Sequence, residues 1–145
     1  MKIRKSITKE KKMKEYAFRL KKGQDLKLEI EKYVELHQFQ AAVIVSCIGY
    51  LSDAILHNVY QKKELTRLRR KKLDILSLNG TLSIHGNHMM LTLIDDQMQL
   101  YEGHMQEGCV VSSTVEIVIL ELENYTFYRE LDLETGFREL DPARH

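Results

Sequence analysis

His85, His88 and His104 fall within one twenty-residue stretch, HGNHMMLTLIDDQMQLYEGH (85–104), and imidazoles so spaced can gather around a divalent metal. An open zinc site takes three nitrogen, oxygen or thiolate ligands plus a water. Strand alternation puts His88 and Met90 on one face and turns Met89 to the other. His104 joins that face if the segment folds back as a hairpin. A thioether is a poor zinc ligand and a fair one for Cu(I). His88 and His104 are therefore the candidate metal ligands, zinc the candidate cation, and His85 or Cys109 could complete the set. The competing expectation is that both histidines are polar groups at a subunit interface or sheet edge. In either case they would line a pocket able to take a small molecule.

Covalent catalysis has less to stand on. His104, Glu107 and Cys109 are close in sequence, and a Cys–His pair can make a nucleophile. Cys109 also opens a long apolar strand, where a cysteine is ordinarily buried and inert. Cys47, inside AAVIVSCIGYL, reads as core. The chain has no G-x-S-x-G elbow, no Gly-rich phosphate loop and no C-x-x-C pair. No catalytic residue is assigned, and an enzyme is not the expected class.

Charge supplies the second kind of chemistry. Residues 1–72 carry 19 Lys and Arg against 8 Asp and Glu, whereas residues 73–145 carry 3 against 13. The cations concentrate at Lys2, Arg4, Lys5, Lys9, Lys11 and Lys12, and again at Lys62, Lys63, Arg67, Arg69, Arg70, Lys71 and Lys72. Such clusters can neutralise phosphates and release counterions without reading bases. They can equally remain solvated. No recognition helix, zinc-finger spacing or interleaved aromatics accompanies them, so sequence-specific readout is not expected.

The elements that must carry these groups follow from period and punctuation. YAFRL (16–20) alternates as a strand. Asp25 is a plausible N-cap, and Leu26, Ile30, Tyr33, Val34 and His37 fall at helical spacing over about three turns. AAVIVS (41–46) reads as a strand ended by Gly49, with a second strand at 54–60. The basic stretch after it is an extended loop or a short helix. In LDILSLNGTLS, Leu76, Leu78 and Leu82 share a face, and Gly80 marks a bulge or a close backbone approach. Met89, Leu91 and Leu93 point inward, and Asp95-Asp96 is a turn. CVVSSTVEIVILEL (109–122) is a long, mostly covered strand whose Glu116 requires a partner. NYTFYREL is a further strand, and the rest trails into a loop or short strand. The expectation is an α+β fold, a mainly antiparallel sheet of seven or eight strands with one principal helix.

At 145 residues, with one proline and no low-complexity tract, the chain suits a single domain. Residues 1–14 read as a basic flexible arm, 15–141 as the domain and 142–145 as a tail. Two cysteines make no disulfide framework and suit a reducing compartment. The apolar runs are too short to span a bilayer. The expected location is cytoplasmic, with no membrane partner.

Six segments carry a resemblance when taken in order: RLKKGQDL (19–26), AAVIVSCIGYLSDAIL (41–56), LDILSLNGTLS (73–83), GNHMMLTLIDDQMQLYEGHMQEGCVV (86–111), STVEIVILEL (113–122) and TGFREL (135–140). The chain resembles the PPC domain, the plant and prokaryote conserved domain that plants join to AT-hooks. The resemblance implies a homotrimer and a DNA-binding or regulatory role. It also implies a three-imidazole metal site whose third histidine would stand two residues after His88, where this chain has Met90. The R-G-R-P core of an AT-hook occurs nowhere in the sequence.

Overall fold

The computed structural model describes residues 13–58 and 64–145. Among them the elements run β1 (Lys14–Lys21), α1 (Leu26–His37), β2 (Ala42–His57), β3 (Leu65–Leu68), β4 (Leu73–Leu82), β5 (His88–Asp95), β6 (Leu100–Met105), β7 (Val110–Glu121), β8 (Tyr125–Leu131) and β9 (Arg138–Arg144). The first seven strands form one antiparallel sheet, and β8 and β9 form a separate hairpin. The expected α+β architecture with one principal helix is the one observed. The strand total is higher because the C-terminal segment pairs with β8 rather than trailing off. Residues 142–144, expected as a tail, lie within β9, and β1 already begins at Lys14, inside the expected arm.

Asp25 starts the helix as its side chain chemistry predicts. One carboxylate oxygen accepts from the Leu28 amide at 3.1 Å, and the other accepts from the Gly108 amide at 2.6 Å, tying the helix start to the loop before β7. Leu26, Ile30 and Val34, spaced by four, are the helix's buried stripe. Gln38, in the left-handed region, ends it.

β2 is one strand of 16 residues where the sequence suggested two. Register irregularities near Ser46, Tyr50 and Ser52 let it bend without leaving the sheet. Gly49 therefore lies inside the strand. A Cβ there would stand 2.2 Å from the Thr114 carbonyl oxygen, so no larger residue lets β7 approach. The bend allows β2 to pair with β4 and β7 along its first part and with β3 and β6 at its end. The sheet closes on itself through β2, β4, β5, β6 and back to β2.

The alternation in β4 also resets. A register shift between Ile75 and Ser77 puts Leu73, Ile75, Leu78 and Leu82 inside and leaves Leu76 exposed, correcting the shared face expected for Leu76. Gly80 is the close approach, since a Cβ would meet Ile44 Cδ1 at 2.9 Å. On β5, Met89, Leu91 and Leu93 are buried as the alternation requires. Each such fully buried side chain contributes about 1.5–3 kcal/mol relative to exposure.

The β8–β9 hairpin is fastened to the turn between β4 and β5. Ser83 Oγ donates to the Phe127 carbonyl at 2.7 Å, and Arg129 Nη2 donates to Thr81 Oγ1 at 2.7 Å. No described helix is long and apolar enough to cross a membrane.

Candidate functional site

Sheet closure assembles the histidines. His104 on β6 stands opposite Met90 on β5 and, through its other edge, opposite His57 at the end of β2. Side chains paired across an antiparallel ladder share a face, so His57, His104 and Met90 form one row, with His88 two residues along from Met90. The His88 and His104 rings stack, centroids 4.7 Å apart and planes 7° from parallel. His57 lies further off, its ring centroid 6.4 Å from that of His104. Burial, then His88, then His57 hold His104 below the ordinary histidine range, which keeps its ring neutral near pH 7.

His57 was not among the residues singled out from sequence. It precedes His104 by nearly fifty positions, and only the β2–β6 register joins them. Its place in AILHNVY carried no local signal beyond strand parity. His85 does not join that row; its ring packs against Tyr128 at 4.8 Å between centroids.

The donor set stops short of an open zinc site. His88 and His104 are in contact, but among the described residues no three His, Cys, Asp or Glu side chains converge on one point. The position where a third imidazole would sit in that row holds the Met90 thioether. Cys109 does not complete the set, because its Sγ is buried against the Ile55 carbonyl. Burial pushes its thiol up to about 11, and that of Cys47 up to about 12, so both are protonated and unreactive at neutral pH.

Beside the stacked rings lies a cavity of about 510 Å³, bounded by His85–His88, His104 and the hairpin residues Arg129, Phe137, Arg138 and Glu139. Residues 73–145 contain three cations in all, Arg129, Arg138 and Arg144, and two of them line this cavity. That scarcity was visible in the sequence and was a usable signal.

The basic cluster divides. Lys2, Arg4, Lys5, Lys9, Lys11, Lys12, Lys62 and Lys63 lie outside the described residues. Arg67, Arg69, Arg70, Lys71 and Lys72 sit on β3 and the turn into β4, and all five are exposed. Leu68 is the buried anchor among them, and the Lys71 amide donates to the Ser52 carbonyl at 2.9 Å, fixing the turn. Arg67, Arg69 and Arg70 also line a shallow concavity against β2 and the Gly108 loop, with Asp53 the acidic residue in it. None of the five has an ion-pair partner among the described residues.

The remaining acidic expectations resolve simply. Asp95 accepts from the Gln97 and Gln99 amides and from the Tyr101 hydroxyl, and these bonds hold its carboxyl below the usual range. It is a turn residue. Glu116, expected to be covered and to require a partner, is instead exposed, because its face of β7 is open there. It stands opposite Arg19 in the β1–β7 register, without an ion pair among the described residues.

Comparison with known proteins adds the following. Residues 7–123 match the family model described as the Plants and Prokaryotes Conserved (PCC) domain. The bifunctional protein GlmU of a Synechococcus strain is 38% identical over 128 residues, which is 88% of this chain and 20% of that protein. The chain thus spans about a fifth of the curated relatives it matches. A hypothetical protein of Salmonella enterica is 34% identical, with a TM-score of 0.86 over 92% of this chain and 96% of that one. A metal-containing protein from Archaeoglobus fulgidus is 30% identical, with a TM-score of 0.74 over 88% and 93%. Two neighbours at 15% and 18% identity, from Bacteroides thetaiotaomicron and Ralstonia eutropha, share the fold at TM-scores of 0.75 and 0.73 and carry provisional DNA-binding names.

Proposed function

The chain belongs to the Plants and Prokaryotes Conserved domain family, and on that premise we propose that it is a DNA-binding, regulatory protein that grips phosphates without reading base sequence. One observation carries the proposal: five exposed cations lie within six residues, on β3 and the turn after it, and none forms an ion pair within 4 Å among the described residues. Their charge is available to a polyanion, and each phosphate they neutralise would release condensed counterions. The DNA-binding names of the Bacteroides and Ralstonia proteins point the same way. So does the segregation of positive charge into residues 1–72.

The proposal extends to a homotrimer. Val45, Ile48 and Tyr50 on β2 and Leu76 on β4 are exposed apolar side chains on the outer surface of the sheet, which supports burial against a second copy. In a trimer the basic corner is presented three times, and linked weak contacts strengthen one another. Light scattering on the eluting protein should return three times 17.0 kDa; a single-chain mass would remove this part.

Binding to an arbitrary duplex, followed by fluorescence anisotropy, tests the main proposal. Affinity should fall steeply with salt, be indifferent to scrambling the duplex, and weaken when residues 1–12 are deleted. Salt-independent binding, or none at low salt, would overturn it.

A second reading treats the protein as a small-molecule binder, and the cavity beside His88 and His104 favours it. This reading does not require a resident metal, since the described donors fall one ligand short of an open zinc site. Protein prepared without chelators should carry well under one zinc per chain; stoichiometric zinc lost in His104→Ala would restore the metal.

A further inference from the structure

We infer that the cavity under the β8–β9 hairpin binds a small organic anion, a compact ring bearing a phosphate or carboxylate head, with Arg129 and Arg138 holding the head. The inference rests on the second reading for the existence of the pocket, and adds the ligand's chemical class.

Arg129 is half-buried, yet the one acceptor it meets among the described residues is the neutral hydroxyl of Thr81 at 2.7 Å. A guanidinium has five donors, so four remain to be satisfied. Burial pulls its pKa down, the mark of a cation partly stripped of water without full compensation. No carboxylate forms an ion pair with it among the described residues. Glu139 is near enough to be felt electrostatically, but its carboxylate accepts from Thr135 Oγ1 at 3.2 Å instead.

Arg129 is also held in place. Its stem packs over Gly86, with Cγ 3.0 Å from where a Cβ at that glycine would stand. Arg138 reaches the same wall, its Nη2 donating to the Arg129 carbonyl at 3.2 Å. Two guanidiniums on one wall of a concave site, in a half of the chain that otherwise has a single cation, present fork-shaped donors suited to an oxyanion.

The rest of the cavity suits a ring. Phe137 lines it, is 55% exposed, and packs against no other aromatic ring among the described residues. The stacked rings of His88 and His104 line the same cavity. A volume of about 510 Å³ is within the range that small ligands fill. An anionic head at the arginines would leave a planar body for Phe137 and the imidazoles to contact.

Calorimetric titration of the full chain with phenyl phosphate, benzoate, inorganic phosphate and benzyl alcohol tests this. Phenyl phosphate or benzoate should saturate at one per chain, and whichever binds more tightly assigns the head. Inorganic phosphate and benzyl alcohol should each bind about tenfold or more weakly than the better of the two. Arg129→Met and Arg138→Met should each weaken that better probe by about tenfold or more. Arg138 is exposed, so its variant keeps the test meaningful if loss of the Thr81 brace unfolds the hairpin in Arg129→Met. Phe137→Ala should erase most of the advantage over inorganic phosphate. Benzyl alcohol binding as tightly as the anions, or unchanged affinity in both arginine variants, overturns the ligand class while leaving the pocket. No saturable binding by any probe overturns the pocket as well.

Discussion

Two places among the described residues bring cations together, the β3–β4 turn and the wall beneath the β8–β9 hairpin, and they differ in how much water each cation keeps. Arg67, Arg69, Arg70, Lys71 and Lys72 are all exposed, along β3 and the turn into β4, the arginines over only a shallow concavity. Arg129 is half-buried against Thr81 and Gly86, at the side of a cavity. Solvated cations in a row suit an extended polyanion, where many weak contacts add and salt competes with each of them. A desolvated guanidinium in a concavity suits one small anion chosen by shape, and salt competes with it less. The same residue type thus serves two forms of recognition, decided by the backbone beneath it.

Breaking the first region should have the largest effect. The triple variant Arg67→Gln, Arg69→Gln, Arg70→Gln should weaken duplex binding by on the order of 10²-fold near 0.1 M salt. Phenyl phosphate binding should stay as it was. If the triple variant lost both activities equally, the two regions would not be separate sites. The reciprocal variant, Arg138→Met, should lower affinity for the small anion about tenfold while leaving duplex affinity within about twofold. A large loss of duplex binding there would merge the regions from the other side.

The smallest effect concerns the histidine wall. His104 titrates below the usual 6.5 because burial and its two histidine neighbours disfavour the charged ring. The unfolded chain therefore binds the proton more readily than the native one. Stability should be full above about pH 6.5 and decline as pH falls through that value toward the folded pKa. His104→Gln should flatten this part of a thermal-unfolding profile measured against pH. An unchanged slope would mean that His104 is not the group responsible.

Local rules accounted for much of this molecule. Asp25 caps the helix its carboxylate promised, the spacing of Leu26, Ile30 and Val34 set the buried stripe, and β5 alternates as written. Legibility failed wherever the sheet departed from strict pairing. The irregularities that keep β2 continuous and the shift that exposes Leu76 are set by partner strands, and no local window contains them. β3 was hidden for a related reason, since four residues among seven cations pair only because β2 extends far enough to receive them. The candidate site was half legible. His88 and His104 were marked by residue type and hairpin logic, whereas His57 and Arg129 enter through long-range register and the docking of the hairpin.

The salt dependence of duplex binding, wild type against the Arg67, Arg69, Arg70 triple variant, tests the central claim most directly. The wild type should show log affinity falling linearly with log salt, with a slope of about −0.9 for each phosphate held. The triple variant should lose roughly three such contacts from that slope. Identical slopes for the two proteins would contradict the claim that the β3–β4 turn is where this domain holds DNA.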